Sequence, residues 1–246
     1  MLGQIERAFA ERQASEDRLR RFLADASHEL RTPLSSIRGY AETFRIGAAR
    51  KPADTEKAMR RIESEAARMG VLVEDLLALA RLDELREPDR EPVDLTHVAR
   101  DAADDARAAA PERTIELDAN GPVVVLGDPH QLRQVLANLM RNALVHTPAG
   151  TPIELRVGRD GAEAMLEVRD HGPGLPTADS EAIFERFWRA DPGRGRGRAG
   201  AGLGLAIVSG VVAAHGGRVP AADAAGGGAS FVAWLPADGS ERPVAC

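Results

Sequence analysis

His28 and Glu29 are adjacent, and Thr32 follows one helical turn later in Ser27-His28-Glu29-Leu30-Arg31-Thr32-Pro33-Leu34. A neutral imidazole is a good nucleophile near pH 7, and a neighbouring carboxylate can orient it or take its proton. A hydroxyl both donates and accepts, which suits Thr32 to align a water. Further along, Asn138 and Asn142 are four residues apart, so a helix puts both amides on one face, where an amide oxygen could complete a magnesium shell. Asp170-His171-Gly172-Pro173-Gly174 combines a carboxylate, able to accept from the amino group of a flat base, with glycines that let the backbone come close. Gly200-Ala201-Gly202-Leu203-Gly204 opens an apolar stretch, and unpaired amides at a helix start suit anionic phosphate. Each motif has an ordinary alternative: a surface His-Glu pair, a solvated asparagine, a tight turn.

The elements that must carry these residues follow from periodicity. Leu19, Leu23, Ala26, Leu30, Leu34, Ile37, Ala41 and Phe44 step by three and four, which predicts a helix from near residue 2 to about Ile46. With Leu23 at heptad position a and Ala26 at d, His28 takes the exposed position f, and Pro33 is expected to interrupt the helix. A turn over 50–54 leads to a second helix with Met59, Ile62, Ala66, Met69, Val73, Leu76 and Ala80 as its seam. Two stripes on one hairpin have too little interior to bury, so two copies forming a four-helix bundle are expected; docking on the rest of the chain is the alternative. Residues 84–92, with two prolines and alternating charge, read as a linker. Beyond it come helices over 94–110, 128–145 and 203–214, and strands over 114–117, 123–126, 153–157, 164–168 and 230–235, an α/β sandwich. Residues 191–199 place Arg194, Arg196 and Arg198 among glycines, either an idle loop or a cationic lid, and 237–246 read as a disordered tail.

The string 27–34 resembles the phosphoacceptor box of the sensor histidine kinases of two-component systems. Leu132-Arg133-Gln134-Val135-Leu136-Ala137-Asn138-Leu139-Met140-Arg141-Asn142-Ala143 resembles the asparagine box of the same family, and Ile183-Phe184-Glu185-Arg186-Phe187-Trp188-Arg189 its phenylalanine box. In order and spacing these motifs resemble the Bergerat-type ATP-binding fold over about residues 16–236. The resemblance implies an α+β chain of two domains, a dimerisation and histidine phosphotransfer domain at 16–86 and a catalytic ATP-binding domain at 94–236. Residues 1–15 would be the end of a signalling helix, and 87–93 the linker. It implies that Mg-ATP is held by Asn138, Asn142, Asp170, Gly172, Gly174, Arg186, Gly200, Gly202, Leu203 and Gly204, with Asn142 the Mg2+ ligand. His28, Glu29 and Thr32 would be the catalytic residues, and the partners a second copy of the chain and the receiver domain of a response regulator. By the same resemblance Thr32 would serve dephosphorylation of that regulator, although it could also only satisfy the backbone before Pro33. Family members often carry Lys or Arg two residues before the Thr-Pro, where this chain has Val145, so phosphate charge must be met elsewhere. The aromatic residues of 183–189 are expected to be core packing.

Composition narrows the rivals. A formal charge of -6 argues against a chain built to bind nucleic acid, and 43% hydrophobic with 28% charged residues is ordinary for a globular protein. A single cysteine, Cys246, allows no disulfide within one chain. No window reads as a membrane span or signal peptide, so a cytoplasmic fragment without membrane contact is expected, belonging by resemblance to a plasma-membrane sensor. A gyrase-type or chaperone-type ATP hydrolase would share the fold but place a glutamate base where Asn138 stands. A dimeric scaffold with a degenerate nucleotide site is the non-enzymatic rival.

Overall fold

The computed structural model describes residues 2–46, 52–83, 90–177, 179–190 and 200–237. The chain divides into two compact units, residues 1–76 and 77–246. The first is a helical hairpin of α1 (Leu2–Arg45) and the greater part of α2 (Pro52–Asp83). Pro33 does not interrupt α1, which runs through it unbroken. Its missing N–H leaves the Glu29 carbonyl without the usual i+4 donor, a local loss that the flanking turns absorb. The expected turn is also shorter than read, because Pro52, Ala53 and Asp54 already belong to α2. Proline at a helix start costs nothing, since its missing N–H would be unpaired there anyway. The rest of that turn, Arg50 and Lys51, lies outside the described residues. Ala26, Pro33, Ala58 and Leu72 are buried, whereas Leu23, Leu34, Phe44 and Val73 are 56%, 55%, 49% and 43% exposed in the single chain.

The second unit is a two-layer sandwich. Its five-stranded sheet has the order β2-β4-β5-β7-β6, from β2 (Ile115–Ala119), β4 (Ile153–Asp160), β5 (Glu163–Asp170), β6 (Ala221–Asp223) and β7 (Ala229–Pro236). Only β2 and β4 run parallel. Alternation along the strands turns Ile153, Leu155, Val157, Ala164, Leu166, Val168, Phe231, Ala233 and Leu235 inward. Against that face pack α3 (Leu95–Ala109), α4 (Pro129–His146) and α5 (Gly204–Ala214). A separate ribbon pairs β1 (Glu91–Asp94) with β3 (Val124–Gly127). Thus Glu91 and Pro92, read as linker, are strand; residues 84–89 of that linker lie outside the described residues. Ala237, assigned to the tail, bridges Val125, is buried, and donates its N–H to the Ala162 carbonyl at 2.9 Å. Residues 238–246 are outside the description.

The helices start where local chemistry allows. Asp94 Oδ1 accepts from Thr96 N at 2.9 Å and from Val123 N at 3.2 Å, so one carboxylate caps α3 and ties in the chain leading to β3. Asp128 caps α4 by accepting from His130 N and Gln131 N at 2.8 and 3.2 Å, with Pro129 at the first helical position. His215, at the end of α5, ties that helix to the cap of α4. Its Nδ1 donates to the Val211 carbonyl at 2.8 Å and its Nε2 accepts from Asp128 N at 3.0 Å. That pattern needs a neutral ring, and burial pushes the His215 pKa down accordingly.

Candidate phosphoacceptor and nucleotide sites

On α1, His28 is exposed, Glu29 half-buried and Thr32 exposed one turn further on. Thr32 Oγ1 donates to the His28 carbonyl at 3.3 Å, so the hydroxyl also satisfies the backbone just ahead of Pro33. The imidazole itself is presented to solvent, as position f of the heptad predicts.

In the second unit three segments converge at one end of α4. The helix contributes Asn138, which is buried, and Asn142, half-buried one turn on. Asn138 Oδ1 accepts from Arg141 Nη2 at 2.7 Å, while Asn138 Nδ2 is buried with no hydrogen-bond partner among the described residues. The start of α5 lies on this pair: a Cβ at Gly204 would stand 3.2 Å from Arg141 Nη2 and 3.4 Å from Asn138 Oδ1. Ahead of it Leu203 is fully buried, and Gly202 takes φ +76°, where a Cβ would come within 2.6 Å of the Trp188 carbonyl. Only glycine fits there. Gly200 faces open space. Among the described residues no side chain caps α5, which leaves its first amides open to a ligand there.

The segment after β5 forms the other wall. Asp170 is buried, and its Oδ1 accepts from Gly172 N at 2.8 Å and from Ala229 N at 3.3 Å. Gly172 packs so tightly on Thr147 that a Cβ would fall 2.6 Å from its methyl carbon. Gly174, at φ +89°, lies against Asp223, whose Oδ1 accepts from Leu175 N at 2.7 Å. Thr147 in turn is held by Arg113, a buried residue that the sequence reading passed over. Arg113 Nη1 donates to Thr147 Oγ1 at 2.6 Å, and Nη2 to the carbonyls of Thr147 and Leu144 at 3.0 and 2.9 Å. One guanidinium thereby caps the end of α4 and fixes what Gly172 leans on.

The question raised by Val145 has a candidate answer. His146, although it keeps an exposed edge, has its pKa pushed down chiefly by burial, with Arg189 adding to the effect and Asp170 opposing it. The shift disfavours the charged form of the ring. Arg189, close enough to act on that ring, has a buried Nη2 without a partner among the described residues. Nothing in its spacing marked it out beyond its membership of the 183–189 stretch. Arg186 is exposed and has an interaction within the protein. Phe184, Phe187 and Trp188, expected as core, are only half-buried; Ile183 is the core residue, in the short 3₁₀ turn Ala182–Phe184. Arg194, Arg196 and Arg198 lie outside the described residues. Among those described, no cluster of three or more His, Cys, Asp or Glu could hold a metal.

Among the described residues, Asn138 Nδ2 and Arg189 Nη2 are buried without a partner, and with the glycine-lined backbone and the start of α5 they make an arrangement suited to an anion and a flat base. Residues 18–85 match the model of the His Kinase A (phospho-acceptor) domain, and residues 127–239 that of the histidine kinase-, DNA gyrase B- and HSP90-like ATPases. The chain is 48% identical over 241 residues to the probable sensor histidine kinase TcrY of Mycobacterium tuberculosis, covering 97% of this chain and 50% of that protein. Among solved structures it is similar to the mycobacterial sensor histidine kinase MprB, at 33% identity and TM-score 0.53, covering 60% of this chain and 97% of that one. It is also similar in fold to the histidine kinase ThkA solved in complex with the response regulator TrrA, at 21% identity and TM-score 0.74, covering 95% and 67%. The chain belongs to the sensor histidine kinase family. It spans about half the length of the curated relatives it matches. Among the described residues no helix is long and apolar enough to cross a membrane.

Proposed function

We propose that this chain is the kinase core of a two-component sensor, moving the γ-phosphoryl group of Mg-ATP to His28 and from there to an aspartate of a response regulator. The observation that carries this reading is the pairing, on one chain, of an exposed His28 beside Glu29 on a helical hairpin with a cradle that leaves Asn138 Nδ2 and Arg189 Nη2 unmatched among the described residues. Asp170, with Oδ1 committed to two backbone amides, turns Oδ2 to the amino group of adenine. Gly172 and Gly174 let the backbone approach the base. Gly202, Leu203 and Gly204 present α5 amides to the phosphates, and Arg189 and Arg141 supply the charge that Val145 does not. Asn142, supported by Asn138, fits as the amide ligand of Mg2+, which would neutralise phosphate charge. In the transfer the bond from the γ-phosphorus to its bridging oxygen breaks and ADP leaves. A bond to an imidazole nitrogen forms, and the ring proton passes to Glu29 or to water.

A hydrolase reading lacks its base: α4 contains no Asp or Glu, so no carboxylate on that helix can activate water. We infer further that residues 16–86 and 94–236 act as phosphoacceptor and catalytic domains. The apolar residues left open on the hairpin support a second copy of the chain as its partner. The regulator as partner is supported by the family and by the assembly in which ThkA was solved. Incubation with labelled ATP followed by acid and alkali treatment tests the reaction. The expected product is label lost in acid and retained in base, as phosphohistidine requires; base-labile label refutes it.

A further inference from the structure

We propose that His171 and Glu154 are positioning residues that set the placement of the loop after β5 and, through it, the affinity and selectivity for the purine base; this rests on the reading of that loop as the base site. His171 stands between Asp170 and Gly172, and its ring Nε2 lies 2.5 Å from Glu154 Oε1 on β4. Its own amide donates to the Pro152 carbonyl at 3.3 Å, so backbone and side chain both fasten the residue to the start of β4. The pair is one-third and one-fifth exposed, and its loss leaves the core intact.

Glu154 is itself held in place. Its Oε2 accepts from Arg156 Nη2 at 2.6 Å; Arg156 Nη1 reaches Glu167 Oε2 at 3.4 Å, and Glu167 Oε1 accepts from Ser230 Oγ at 2.6 Å. The polar chain crosses β4, β5 and β7 on the sheet face that carries no helix. Both oxygens of Glu154 are engaged, and the hydrogen bond from His171 is the largest reason that its pKa lies below the usual carboxylate range, with Arg156 and Arg169 adding to it. The remaining fastenings of the loop are Asp170 Oδ1 on Gly172 N and Asp223 Oδ1 on Leu175 N. Among the described residues the Glu154 contact is the one side-chain bond of residue 171, so without it backbone alone holds that residue and Gly172 is set less firmly against Thr147.

The test measures ATP and GTP dissociation constants by calorimetry on the full chain, for the parent, Glu154→Ala, His171→Phe, the double variant and Glu154→Gln. Each single substitution is expected to weaken ATP about fivefold, the scale of a charge-assisted hydrogen bond at a partly exposed site. GTP should weaken less, narrowing the preference for ATP. The double variant should be no weaker than either single, and Glu154→Gln, which keeps an acceptor without the charge, should fall between parent and Ala. Turnover of Glu154→Ala at saturating ATP should match the parent, a KM effect without a kcat effect. ATP affinity of Glu154→Ala within twofold of the parent overturns the proposal, as do additive losses or equal weakening of both nucleotides. A parent that binds no ATP at all would instead overturn the assignment of the loop as the base site.

Discussion

Gly227 and Gly228 offer a controlled perturbation of the wall behind Asp170. Both adopt positive φ, +102° and +87°. An alanine methyl at Gly227 would meet open space, whereas at Gly228 it would stand 1.8 Å from the Asp170 carbonyl oxygen. Gly227→Ala therefore costs only the left-handed backbone, about 1–2 kcal/mol. Gly228→Ala carries the same cost and also an overlap of about half an ordinary contact distance, which the hairpin between β6 and β7 can relieve only by withdrawing. Withdrawal stretches the bond from Ala229 N to Asp170 Oδ1 and the one from Ala224 N to the Gly228 carbonyl, now 3.3 and 2.8 Å. At about 1 kcal/mol for each lost bond, the total is about 3–4 kcal/mol. Urea unfolding of the full chain, with ATP titration alongside, reads both effects. Gly227→Ala should retain ATP affinity within about twofold, while Gly228→Ala should lose at least about tenfold, equivalent to about 1.4 kcal/mol out of that strain. Equal behaviour of the two variants would refute the claim that this hairpin buttresses the base-reading carboxylate.

Other substitutions probe separate parts of the machinery. Asn142→Ala should abolish Mg-ATP binding and labelling of His28, whereas Asp170→Asn should impair recognition of adenine, seen as a fall in the ATP-to-GTP affinity ratio. Arg113→Met should destabilise the second unit by about 3 kcal/mol in chemical denaturation, since it leaves several carbonyls at the end of α4 and the Thr147 hydroxyl without their donor. The buried, neutral His215 makes stability fall in acid. Its folded pKa is lowered, so below its ordinary unfolded value the unfolded chain binds a proton that the folded one does not. Its contribution is complete above that value and is lost as pH drops towards the folded one, at up to about 1.4 kcal/mol per pH unit. Asp128 and Arg90 face the ring with opposing effects, and a His215→Gln variant should flatten the slope in denaturation measured from pH 7 to pH 5. Thr32→Ala should keep autophosphorylation but slow dephosphorylation of the regulator; equal loss of both would mean that removing its bond to the His28 carbonyl merely damaged the helix.

The elements with regular periodicity and recognisable caps were legible in the sequence. Asp128 followed by Pro129 announced α4, and the alternation of Ile153 through Val157 announced β4, because those signals are local. Pro33 misled because a long helix can absorb one missing donor when its neighbouring turns are intact. The strands β1 and β6 escaped notice because each is short and lacks alternation of its own; β1 exists by pairing with a distant partner, Gly127 for Glu91, and β6 by pairing across a glycine-rich turn, Phe231 for Ala221. In the site, the glycines and asparagines were visible as motifs, but their supports were not. Arg113 reaches Thr147 across 34 residues and Asp223 reaches Leu175 across 48, and neither residue type carries a signal of its own at such a separation.

The strand order of the second unit also bears on how it folds. β4 and β5 are joined through the turn at Gly161 and can zip as a local hairpin, whereas β2 joins β4 in parallel only after residues 120–152 have folded between them. β5 and β7 are separated by residues 171–228, the stretch that supplies Gly172, Gly174 and the start of α5. Much of the cradle is thus assembled from contacts of high sequence separation, whose loop closure costs entropy before the contacts stabilise the chain. A nucleotide bound there has little to hold until the barrier is passed, so it should leave the refolding rate nearly unchanged and act almost wholly by slowing unfolding.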